Sequence, residues 1–122
     1  MDTLQLLLSR EKELPVQEKD VKIKRLSPKG QEPVIFSLRS LSYSRVCDIK
    51  RIGGDDVKLH IVLAGVKSPD LKNQDLIDHY GAATPLELLK TMLLPGEIED
   101  LCIEIEKLSG YRTDTVEEIK KK

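Results

Sequence analysis

LHIVLAGVKSPDLKNQDLIDHYGAATPLELLKTMLLPGEIEDLCIEIEKLSGY, residues 59–111, carries its glycines and prolines at intervals of one short helix: Gly65, Pro69, Gly81, Pro85, Pro95 with Gly96, and Gly110. Glycine favours the left-handed position just past a helix end, and proline favours the first helical turn. The stretch therefore reads as a string of short helices with marked starts and stops. Residues 73–80 put Leu76, Ile77 and Tyr80 on one helical face. Thr84-Pro85 opens the next helix with an N-cap and a first-turn proline, and Glu87 stands at the capping-box position. Residues 96–108 form the longest helix. Ile98, Leu101, Cys102, Ile105 and Leu108 make its apolar stripe, and Ile103 projects from the charged side.

Upstream, VKLHIVLAGV (57–66) fits two periods. Val57, Leu59, Ile61 and Leu63 alternate with Lys58 and His60, as in a strand; Asp55 or Asp56 before it and Gly65 after it mark a helix buried nearly all round. Residues 42–51 form a helix opened by Ser42, with Val46 and Ile49 at helical spacing and Gly53-Gly54 as its stop. Residues 20–26 alternate apolar and basic side chains, the period of a half-buried strand, and residues 34–39 form a second strand. With Ser27-Pro28-Lys29-Gly30 as turn chemistry, residues 20–40 read as a hairpin whose loop spans roughly five to seven residues. Asp2 or Thr3 caps a short N-terminal helix that Pro15 ends, and Asp114 caps a final acidic-then-basic turn, VEEIKKK. The terminal Lys120-Lys121-Lys122 complements that turn's dipole. The expected fold class is α+β: an N-terminal antiparallel β-hairpin followed by a bundle of four to five short helices. Residues 1–16 are expected to be a flexible or helical arm and residues 17–122 a single domain.

A chain of 122 residues buries a modest core without metals or disulfides. Charged residues make up 34% of it, yet the net charge is only −1, so no overall field favours nucleic acid or an anionic membrane. Four aromatic residues are too few for a base-stacking platform, so Leu, Ile and Val must build the core. Cys47 and Cys102 sit in no metal-binding or redox spacing and read as reduced core residues of a cytosolic protein. Residues 4–8 are too short for a signal peptide, and no apolar run reaches the length of a membrane span.

Candidate chemistry is sparse. His60 and His79 lie in different elements with no ligand at i+3 or i+4, so no metal site is expected. Glu97, Glu99, Asp100, Glu104 and Glu106 put five carboxylates on one helix, which reads as a solvated face in a chain too poor in aromatics to wall a glycosidase cleft. Gly53-Gly54 lacks the pattern of a phosphate-binding loop, and no serine or cysteine has an activating context. Lys22, Lys24 and Arg25 make a small basic strand face, too weak a charge cluster for specific nucleic-acid binding. No enzyme and no cofactor is expected.

LHIVLAGVKSPDL (59–71), HYGAATPLELL (79–89), LLPGEIEDL (93–101) and IEKLSGY (105–111) occur in an order that resembles the XkdN-like tail assembly chaperones of long-tailed phages and prophages of Gram-positive bacteria. FSLRSLSY (36–43), after the first strand and turn, fits the same family, and the resemblance covers roughly residues 20–120. It favours the helical reading of residues 57–66. It implies a non-catalytic protein of the host cytoplasm, encoded just before the tape measure protein. Such a protein coats the tape measure, keeps it soluble until tail-tube subunits displace it, and is absent from the finished particle. The implied partner is the tape measure protein, with the tail tube protein as a second candidate; self-association stays open. The resemblance also raises a programmed frameshift at the lysine codons of residues 120–122, giving a longer minor form. Leu86, Leu89, Met92 and Leu93, beside the 96–108 helix, form with Ile103 the candidate partner-binding set, against the alternative that they are core. Rival readings are a small structural tail or neck protein and a small DNA-binding regulator, the latter disfavoured by the acidic or neutral helices after residue 70.

Overall fold

In the computed structural model, which describes residues 2–120, two strands pair as a hairpin: β1 (Glu18–Lys22) and β2 (Ile35–Arg39). Their antiparallel register sets Val21 against Phe36 and Glu18 against Arg39. Phe36 and Leu38 point into the core, as the two-residue period of a strand requires. The basic strand is shorter than its alternation implies. It stops at Lys22, and residues Lys24–Leu26 form a single 3-10 turn, so the connection is a long excursion and not a tight loop. Buried Ile23 ends the pairing by donating its N–H to the Val34 carbonyl.

Helix α1 (Thr3–Leu8) precedes the hairpin, and α2 (Tyr43–Ile52), α3 (Val57–Gly65), α4 (Gln74–His79), α5 (Pro85–Met92) and α6 (Pro95–Leu108) follow it. Most of the punctuation acts as expected, but Gly65 lies inside α3 as its last residue, without a positive φ. Ser42, Asn73 and Thr84 each accept a backbone N–H of the first turn, Gly53 caps α2 in the left-handed region, and Pro85 and Pro95 open their helices. Asp56 stands at the N-cap of α3 but makes no capping bond there; its carboxylate lies 3.6 Å from Lys90.

Residues 57–65 are helical, and α3 is the central element, packing on α2, α5 and α6. Leu59, Ile61, Val62, Ala64 and Gly65 are all buried, which is why no amphipathic stripe distinguishes it from a strand. The chain then turns straight into β3 (Val66–Ser68), an antiparallel third strand beside β2. Three residues are too few to display a period, so this strand leaves no mark in the sequence.

The C-terminal helix expected after Asp114 does not form. Residues 114–120 have no regular structure, and Val116 and Ile119 are exposed. Among the described residues, Asp114 makes no capping hydrogen bond of the kind that Asp2 supplies to α1. Lys121 and Lys122, on which the dipole and frameshift readings fall, lie outside the described residues.

Candidate functional site

The Cys102 thiol is buried and lies 3.3 Å from Glu106 Oε1; burial first, and then that carboxylate, push its pKa up to about 12, far from a nucleophilic thiolate. Among the described residues, no three His, Cys, Asp or Glu side chains gather as a metal-binding group. His79 is exposed at the end of α4, edge-on to Tyr80.

The carboxylates of α6 are less free than a solvated face implies. Glu97 receives Arg25, Glu99 lies 3.2 Å from Lys58, and Glu104 holds both Lys19 and Lys107. Arg25 is therefore not part of a basic strand face. From the 3-10 turn it grips Glu97 through Nε and Nη2 at 2.9–3.3 Å, and Nη2 also donates to the Met92 carbonyl at 2.8 Å. Glu97 in turn accepts the Leu94 N–H at 2.7 Å, so one ion pair fixes the α5–α6 corner. The Arg25 hydrogen bond holds the Glu97 carboxyl below its ordinary value, and Lys19, then Lys107, do the same for Glu104.

Of the expected partner-binding residues, the fold brings four together and leaves one apart. Leu89, Met92 and Leu93 are buried in the central cluster, with Leu89 fully inaccessible, and Leu86 packs half-buried against it. Ile103 lies outside that cluster, half-buried on α6. The domain itself covers Leu89, Met92 and Leu93 of the α5 face, where α3 packs against it.

Two of the surfaces that stay open stand out. The first is α1, none of whose residues is buried. Its side-chain hydrogen bonds are local among the described residues: Asp2 Oδ1 accepts from Gln5 N at 2.8 Å, Asp2 N donates to Gln5 Oε1 at 3.0 Å, and Ser9 Oγ donates to the Leu6 carbonyl at 2.7 Å. Leu4, Leu7 and Leu8, at the i, i+3, i+4 spacing of one helical face, are each more than 60% exposed. Hydrogen bonding to the sheet begins only at Gln17, which exchanges bonds with Ser40. The second is a cleft of about 300 Å³ between α2, α3, β3 and the following turn. Arg39, Arg45, Lys67 and Lys72 line it with Asp48 and Asp70, over an apolar floor that includes Ile49 and Leu71. Its residues are scattered from position 39 to 72, so only the apolar Ile52 at the exposed end of α2 hints at it in the sequence.

A solved structure, the crystal structure of the protein yqbn, aligns with a TM-score of 0.66 at 20% identity, over 81% of this chain and 89% of that one; the likeness is one of fold. No curated protein matches the chain significantly. The family model described as phage XkdN-like tail assembly chaperone protein matches residues 4–120. With nearly its whole length matched, the chain belongs to the phage XkdN-like tail assembly chaperones.

Proposed function

We propose that the protein binds the tape measure protein of its phage in the host cytoplasm, keeps it soluble during tail assembly, and leaves before the particle is finished, without catalysis. The observation that carries this reading is α1. A six-residue helix is far below the length that is stable alone in water, and this one presents leucines that its own domain leaves uncovered. A surface of that kind gains stability by packing on another apolar helix. Family membership supplies the kind of partner, a phage tail protein. Residues 1–16 then act as a contact arm, and residues 17–122 as the folded unit that keeps the complex dispersed. Leu86 and Ile103 retain surface for a secondary contact, whereas Leu89, Met92 and Leu93 serve by holding α5 in place.

The test is co-purification of the tape measure protein, expressed from the downstream gene, with the full chain and with the variant Leu4→Asp, Leu7→Asp, Leu8→Asp. The full chain should capture it and the variant should not. Capture by neither sinks the proposal; equal capture by both moves the contact off the arm. Mass spectrometry of purified particles separates the assembly role from that of a structural component, whose peptides would remain in the virion.

A further inference from the structure

We infer that the cleft between α2, α3 and β3 docks an acidic amphipathic helix of the protein's partner. The proposal rests on the tape measure reading and adds to it the chemistry of the segment recognised. Four cations against two carboxylates line the cleft, although the whole chain has a net charge of −1. Of the two acids, Asp48 lies 3.7 Å from Arg51 outside the cleft and Asp70 accepts the Lys72 backbone N–H at 3.0 Å within it, while Arg39 donates to the Ala64 carbonyl at 3.1 Å; the lining as a whole keeps a positive balance. Among the described residues, Arg45 and Lys72 have no carboxylate within ion-pair distance, while Lys67 is shared with Glu18 at 2.8 Å. Ile52 stands at the rim with 64% of its surface exposed, beside half-buried Leu63.

Cations around an apolar floor match a helix with aliphatic anchors on one face and carboxylates flanking them. Such an arrangement sets register and orientation through charge and holds through the buried side chain. A phosphate backbone would match the charge and leave the floor unfilled, and four cations would attach it only weakly.

Two synthetic helical peptides of about 18 residues, five turns, serve as probes for the full chain in a backbone-amide NMR titration. They share a leucine face and carry glutamate or lysine on the other. The glutamate peptide should shift the amides of Ile52, Leu63, Lys67 and Lys72 saturably and leave residues 3–8 unmoved. The double variant R45E/K72E, changed at two exposed positions, should weaken it about ten-fold or more with an unaltered melting curve. Ile52→Ser should weaken it separately through the apolar half. Equal binding of the lysine peptide, shifts confined to α1, displacement by duplex DNA, or an unchanged affinity in R45E/K72E would overturn the assignment. Tape measure capture that survives R45E/K72E removes the cleft and leaves the proposed function. Capture lost by the unmodified chain, with the peptide still seated in the cleft, removes the function alone.

Discussion

Gly65, the last residue of α3, lies directly against Ile105 of α6. A Cβ at this position would lie 2.5–2.7 Å from three side-chain carbons of Ile105, a fully buried β-branched residue with no room to turn away. Gly65→Ala should therefore destabilise the domain by about 1–3 kcal/mol through overpacking, in spite of alanine's higher helix propensity. Thermal unfolding checks this, and Ile105→Val in the G65A background should recover part of the loss, because the two positions share one contact. A neutral G65A would show that the helices are not this close. The neighbouring Cys102 should resist a thiol reagent at pH 8 in the native state while half-buried Cys47 reacts first, since burial holds the Cys102 pKa at about 12. Equal labelling of both on the folded protein, followed by peptide mapping, would contradict that. The sequence reads Gly65 as a stop just past the helix end; it is instead the last helical residue of α3, without a positive φ, and Val66 caps the helix. Its role depends on Ile105, forty residues away, and no local pattern encodes that distance.

Among the elements, α6 carries the electrostatics. Glu97 and Glu104 both have folded-state pKa values below the ordinary 4.5, Glu97 through Arg25 and Glu104 chiefly through Lys19. A lowered carboxylate pKa means that the folded state binds fewer protons than the unfolded one. The resulting stability is fully present above about pH 4.5 and is lost as the pH falls through the lowered folded values. The melting temperature should hold between pH 6 and 5 and fall below pH 4.5, and Glu97→Gln with Glu104→Gln should start lower and fall less. A parallel decline in the double variant would place the acid sensitivity elsewhere. Helix α1 carries the opposite expectation. Deleting residues 2–14 should move the melting temperature by no more than about 2 °C, because none of the residues Thr3–Leu8 is buried. A drop of several degrees would show that the leucines dock on the domain or on a neighbouring copy. Local chemistry explains which elements were readable. Ser42, Asn73, Thr84 and the prolines fix helix ends through neighbours within four residues. β3 exists only because β2 lies beside it, and the basic strand stops at Lys22 because Arg25 turns away to reach Glu97.

For the molecule as a whole, the same limit governs function. The motifs of residues 59–111 led to the family, since they are the stops and starts of the helical bundle that the family model covers. They could not locate a contact surface, because whether Leu89 or Leu4 faces solvent depends on how α3 packs against α5 and on what α1 lacks. Leu89, Met92 and Leu93 became core, and the four leucines among residues 4–8 remained open. The most direct measurement is the soluble fraction of the tape measure protein when it is expressed alone, with the full chain, or with the chain lacking residues 2–14. The account predicts aggregation alone, a soluble complex that elutes together from a sizing column with the full chain, and aggregation again with the truncated but folded chain. A tape measure protein that stays equally insoluble beside the full chain, with no complex at any ratio, would contradict it.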